Sequence, residues 1–92
     1  MSMLARFSHA STTTTQQYDE VTRRLEAEGN WPPDGLEYHC AFLLDGNVRV
    51  SEIWDSREQF DAFGQRLIPL LADAGIDPGQ PEILDVYNVI KR

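Results

Sequence analysis

Cysteine is nearly missing from this 92-residue chain: Cys40 stands alone, so no intramolecular disulfide forms and no oxidising compartment is implied. Positive charge is scarce as well. Eight Lys and Arg stand against fifteen Asp and Glu, a formal net charge of −7. A field of that sign repels phosphate backbones and anionic head groups, and no basic stripe relieves it. Nucleic acid is thereby disfavoured; a neutral or cationic small molecule, or another protein, is easier to accommodate. No apolar run approaches membrane-spanning length. Met1–Phe7 lacks the basic segment and long apolar stretch of a secretory signal, so a cytoplasmic location is expected, with no membrane partner. Also missing are a Walker loop, a dinucleotide-binding glycine pattern and a Ser-centred nucleophile elbow. His9, His39 and Cys40 match no metal-ligand spacing. Neither a metal nor an organic cofactor is expected.

What is present suits a small α+β protein. The length fits one domain over 1–92, with a thin core that a partner subunit would help to stabilise. Met3–Ser8 reads as a strand. The hydroxyl-rich run Ser11–Thr15 reads as a loop ending in a helix N-cap; Thr13 with Gln16, or Thr14 with Gln17, has capping-box spacing. The helix spans about Gln16–Glu28, with Tyr18, Val21 and Leu25 as its apolar stripe and Gly29 as C-cap. Asn30–Gly35, with two prolines, is a loop.

Leu36–Leu44 and Asn47–Trp54 read as strands of a hairpin, because Asp45-Gly46 suits a type I′ turn. A second helix follows, with Ser56 as N-cap, Gln59 at the capping-box position and Phe60, Phe63, Leu67, Leu70, Leu71 and Ala74 as its buried stripe. Pro69 is expected to kink or divide it near Leu67, and Gly75 to end it. Glu82–Ile90 reads as the last strand. Strand, helix, hairpin, helix, strand is the ferredoxin-like βαββαβ order, an antiparallel sheet with two helices on one face.

A two-residue turn at Asp45-Gly46 sets Leu44 against Asn47, Leu43 against Val48, Ala41 against Val50 and His39 against Glu52. The face carrying Leu43, Val48, Val50 and Trp54 is assigned to the helix-covered core. The other face, with Tyr38, Cys40 and Phe42 against Ile53, Ser51 and Arg49, is too apolar to lie open and is assigned to a homodimer interface.

His39 opposite Glu52 on an apolar face is the most specific chemical feature. A carboxylate orients an imidazole and favours its protonated form, as a general base needs; a polar pair pinning the register is the alternative. Asn88 in the last strand is a candidate for holding a substrate oxygen, and Tyr87 for packing. Trp54, Phe60 and Phe63 are candidates for an apolar substrate wall, and Trp31 for a lid or a dimer contact. Cys40, with no helix N-terminus or cation nearby, reads as a small buried hydrophobe. His9 is an isolated candidate.

Gly35–His39, Gly46–Ser56, Phe60–Phe63, Leu67–Leu70 and Val86–Asn88 together resemble the dimeric α+β barrel superfamily, in particular small proteins related to antibiotic-biosynthesis monooxygenases, over nearly the whole chain. The resemblance implies two ferredoxin-like subunits packed sheet to sheet, each with a pocket between sheet and helices. Similar proteins often have a histidine where Tyr87 stands, so histidine chemistry there is not implied. Members include cofactor-independent oxygenases of aromatic polyketides, cyclases, isomerases and haem-degrading enzymes. The resulting expectation is a cofactor-independent monooxygenase or cyclase acting on an aromatic or polyketide-like compound. In it His39 is acid or base, Glu52 orients it, and Asn88 binds substrate oxygen. A non-catalytic ligand-binding or interaction dimer is the alternative, and a haem-degrading enzyme a third.

Overall fold

The computed structural model describes residues 2–7, 12–29 and 31–92, so Ser8, His9, Ser11 and Asn30 lie outside the described residues. The elements are β1 (Met3–Phe7), α1 (Thr15–Ala27), β2 (Leu36–Leu44), β3 (Asn47–Trp54), α2 (Arg57–Asp73) and β4 (Glu82–Asp85). The strands pair antiparallel in the order β2-β3-β1-β4, the ferredoxin-like arrangement.

Local chemistry explains each boundary. α1 begins at Thr14, whose hydroxyl accepts from Gln17 N–H at 3.0 Å while the Gln17 amide oxygen accepts from Thr14 N–H at 2.9 Å. This satisfies two of the donors a helix N-terminus leaves free, and selects the second of the two spacings open in the sequence. Gly29, at φ 77°, follows the C-cap Glu28. Asp45 and Gly46 take φ of 53° and 80°, the paired left-handed conformation of a type I′ turn, and the hairpin register is the expected one from Leu44–Asn47 back to Tyr38–Ile53. A register shift between Leu36 and Tyr38 ends the regular ladder.

Alternation along the strands then builds the core. Met3, Ala5 and Trp54 turn inward and meet Val21 and Leu25 of α1 and Phe63 and Leu70 of α2. Trp54 is 0% exposed. Phe60, Leu67, Leu71 and Ala74 pack against this cluster as the helical spacing predicts.

Three expectations are corrected. Pro69 does not divide α2, which runs unbroken from Arg57 to Asp73. Pro69 is exposed, so the one helical bond it forgoes is lost on the solvent side, while Leu67, Leu70 and Leu71 tie both flanking turns to the core. Leu43 is not in the core but 61% exposed. Its partner Val48 is covered by the segment before α1, through Val48 N–H to Thr13 O at 2.9 Å, whereas Leu43 lies on the outermost strand. The last strand stops at Asp85 rather than Ile90. β4 pairs only with β1, whose first residue, Met3, opposes Asp85; a final bond from Val86 N–H to Ser2 O closes the ladder. Beyond it Tyr87 and Ile90 are fully or almost fully exposed.

The face turned away from the helices carries a row of four apolar side chains across the whole sheet, Tyr38–Ile53–Leu4–Leu84. The next row is polar, with Arg6 bonded to Glu82 at 2.7 Å.

Candidate functional site

Glu52 lies on the inward face of β3 because it is two residues from Trp54 and two from Val50. A carboxylate there is expensive unless every oxygen is satisfied. Trp54 Nε1–H donates to its Oε1 at 3.0 Å, and His39 Nδ1 meets its Oε2 at 2.6 Å, with Glu52 side-chain exposure only 7%. The strand register thus places His39 beside Glu52, and the indole of the next inward residue holds the carboxylate from the other side.

The chain of polar atoms continues onto α1. The Tyr18 hydroxyl lies 2.7 Å from His39 Nε2. With Glu52 accepting at Nδ1–H, the neutral imidazole presents Nε2 as an acceptor and Tyr18 O–H donates to it. Burial holds the Tyr18 hydroxyl above the ordinary tyrosine range; a hydrogen bond with Thr22 opposes this shift and the Glu52 charge adds to it. Aromatic rings fix the imidazole plane: Trp31 approaches edge-on with centroids 5.0 Å apart, and Tyr18 lies nearly parallel at 6.0 Å.

These groups form one wall of a cavity of about 110 Å³ between the sheet and the helices. Tyr18, Trp31, His39, Glu52 and Phe63 all line it, and aliphatic side chains such as Leu71 close it. A larger depression of about 440 Å³ lies between the Pro32–Asp34 loop and α2, with no comparable hydrogen-bonded network. Among the described residues, no three His, Cys, Asp or Glu gather as a metal-ligand set. No helix among the described residues is long and apolar enough to cross a membrane.

The structure brings together some sequence candidates and separates others. His39, Glu52 and Phe63 share the cavity wall, and so does Trp31. Trp54 lies behind the wall, where its indole supports Glu52. Phe60 also lies behind it, packed on Trp54 and Phe7 at centroid distances of 5.8 and 6.2 Å. Asn88 does not line the cavity: the chain leaves the sheet after Val86, and Asn88 is exposed. Tyr18 and Thr22 line the cavity unannounced by the sequence reading, which placed Tyr18 only in an apolar stripe. Its hydroxyl, the one polar tip in the stripe Tyr18–Val21–Leu25, was the available signal.

No protein-family model matches the chain, and no curated protein matches it. Among solved structures it is similar to a "putative antibiotic biosynthesis monooxygenase" from Deinococcus radiodurans, with a TM-score of 0.59 and 12% identity over 100% of this chain and 98% of that one. At that identity the likeness establishes the fold: a small ferredoxin-like α+β protein with the architecture of that monooxygenase-described structure.

Proposed function

We propose that this protein binds a small apolar or aromatic molecule in the cavity between sheet and helices and acts on it by acid–base chemistry, as a cofactor-independent monooxygenase or cyclase. One observation carries the reading: the hydrogen-bonded chain Trp54–Glu52–His39–Tyr18 ends in a cavity whose other walls are mostly apolar, with Thr13, Thr22 and Arg49 as the polar exceptions. A register-pinning pair needs only His39 and Glu52. Here both imidazole nitrogens are engaged and the network continues to a cavity-lining hydroxyl, as a proton path requires. In this reading His39 stores the proton, Glu52 orients it, and Phe63 and Trp31 form the apolar wall. Trp54 and Phe60 support the wall from behind, and Asn88 takes no part. The similarity in fold to a protein described as a monooxygenase agrees with this reading without naming a substrate.

The test is thermal-shift screening with small aromatic and phenolic compounds, followed by turnover assays on those that stabilise. A ligand at a hundred times its Kd raises stability by about 2.7 kcal/mol. Turnover that disappears in His39→Ala supports the enzyme. Stabilisation without product makes the protein a ligand-binding module. No stabilisation by any compound overturns the assignment of the cavity.

We also propose that a second copy covers the open sheet face, giving a homodimer. The row Tyr38–Ile53–Leu4–Leu84 supports this, because an apolar row spanning a sheet loses free energy to water until it is covered. The resemblance to dimeric α+β barrels points the same way. A stable monomer in light scattering at micromolar concentration overturns it.

A further inference from the structure

Both nitrogens of His39 are occupied, Nδ1 by Glu52 and Nε2 by Tyr18, so the imidazole has no free atom to offer a ligand. The polar chain therefore reaches the cavity at Tyr18, whose hydroxyl has one proton and two lone pairs. The proton is directed at Nε2, and the Thr22 hydroxyl is a further hydrogen-bond partner. One lone pair is left for a donor on the ligand.

Size narrows the ligand further. A cavity of roughly 150 Å³ is what holds a benzene ring, and drug-sized ligands occupy roughly 300–1,000 Å³. At about 110 Å³ this cavity matches one ring that fills it or projects slightly from its mouth. A fused polycycle exceeds the enclosed volume and would leave at least one ring in solvent.

We propose that Tyr18, rather than His39, meets the ligand, and that the ligand is a single-ring molecule bearing an acidic hydroxyl, a phenol or a ring enol. The proposal rests on the cavity reading above. The ligand O–H bond breaks as its proton passes to Tyr18 Oη, and the Tyr18 proton passes to His39 Nε2. The products are a ligand oxyanion and an imidazolium held by Glu52; Tyr18 begins and ends as a neutral phenol, and no electrons change hands. Its burial, which disfavours a standing tyrosinate, suits a residue that conducts a proton rather than keeping the charge. His39 from β2 is hydrogen-bonded to Tyr18; Glu52 from β3, Asp19 next to it on α1 and Cys40 from the far face of β2 act on it electrostatically, and Arg49 lines the same cavity.

The experiment compares 4-nitrophenol with nitrobenzene, which lacks the hydroxyl, and with 4-nitro-1-naphthol, which adds a ring. Quenching of tryptophan emission follows binding, since Trp31 lines the cavity, and the phenolate absorption band follows ionisation of the bound probe. In the wild type, 4-nitrophenol is expected to bind about tenfold more tightly than nitrobenzene, the size of one net hydrogen bond. The naphthol is expected to bind about tenfold more weakly than the phenol. At equal pH the bound phenol should be more ionised than the free one. Tyr18→Phe should reduce the hydroxyl preference to about twofold or less and abolish the added ionisation. His39→Gln should lose the ionisation as well, and it keeps the test decisive if Tyr18→Phe folds poorly. Equal binding of phenol and nitrobenzene to the wild type, or a hydroxyl preference that survives in Tyr18→Phe, overturns the role of Tyr18 and leaves the cavity assignment standing. Binding of the naphthol as tightly as the phenol overturns the single-ring limit. Failure of all three probes to bind overturns both readings.

Discussion

The two faces of one sheet are built from alternate residues of the same strands, yet they end in opposite conditions. Met3, Ala5, Glu52 and Trp54 are sealed under two helices, and the single charged member of that set is hydrogen-bonded on both oxygens. One residue along, Leu4 and Ile53 join Tyr38 and Leu84 in an apolar row that no helix among the described residues covers. The inner face buries a polar group and satisfies it; the outer face presents apolar groups and leaves them. Period-two alternation sorts residues between faces, but what covers each face is decided by the rest of the chain or by another chain.

The sharpest way to break this contrast is to truncate the inner face. Leu25, 3% exposed beneath α1, should cost about 2–5 kcal/mol on replacement by Ala. For a domain of this size that corresponds to a Tm drop of at least about 8 °C, measurable by calorimetry at matched protein concentrations. Trp54→Phe removes one ring from a fully buried site and leaves a buried Glu52 oxygen without its donor, and should cost at least about 1–3 kcal/mol in denaturant titrations.

The outer face should respond differently. Ile53→Arg is expected to leave the folded monomer intact while lowering the mass seen by light scattering from dimer to monomer. Loss of the fold itself would place the outer row in the subunit's own core and erase the contrast.

A smaller effect sharpens the inner face by pH. Burial raises the Tyr18 pKa in the folded protein, so the neutral phenol is the form folding favours. Its contribution is fully present below the ordinary tyrosine pKa and is lost as pH rises through the folded-state value. Tyr38 is shifted the same way by its hydrogen bond with Cys40, so of the three tyrosines Tyr18 is identified in an alkaline absorbance titration as the part of the late phase missing from Tyr18→Phe. The least effect is expected at the surface pair Arg57–Asp61, 3.0 Å apart and mostly exposed, where Arg57→Ala should change stability by about 0.5 kcal/mol or less.

The residues show why part of this was legible in the sequence and part was not. His39 beside Glu52 follows from Asp45-Gly46 and strand alternation, two local rules that suffice to count register. Tyr18 against His39 depends on how α1 is rotated and seated on the sheet, which its stripe constrains only to within a face. The early end of β4 depends on its partner: nothing within Glu82–Ile90 indicates that β1 stops offering bonds at Ser2. Leu43 carries the inward parity of its neighbours, but only its place on the outermost strand explains its exposure. Strand periodicity carried on to Ile90 would bring Asn88 into the candidate site, but the ladder ends at Asp85.

The central claim is that Glu52 and Tyr18 clamp His39 from its two sides and make that imidazole the chemical centre of the inner face. Nitrogen-15 NMR of the histidine rings, at a pH above the ordinary imidazole range, reads this directly. The prediction is a His39 ring fixed as the Nδ1–H tautomer with Nε2 as acceptor, and with Nε2 shifting on Tyr18→Phe. A His39 ring in the Nε2–H tautomer, or one averaging between the two as in a solvent-exposed histidine, would contradict it.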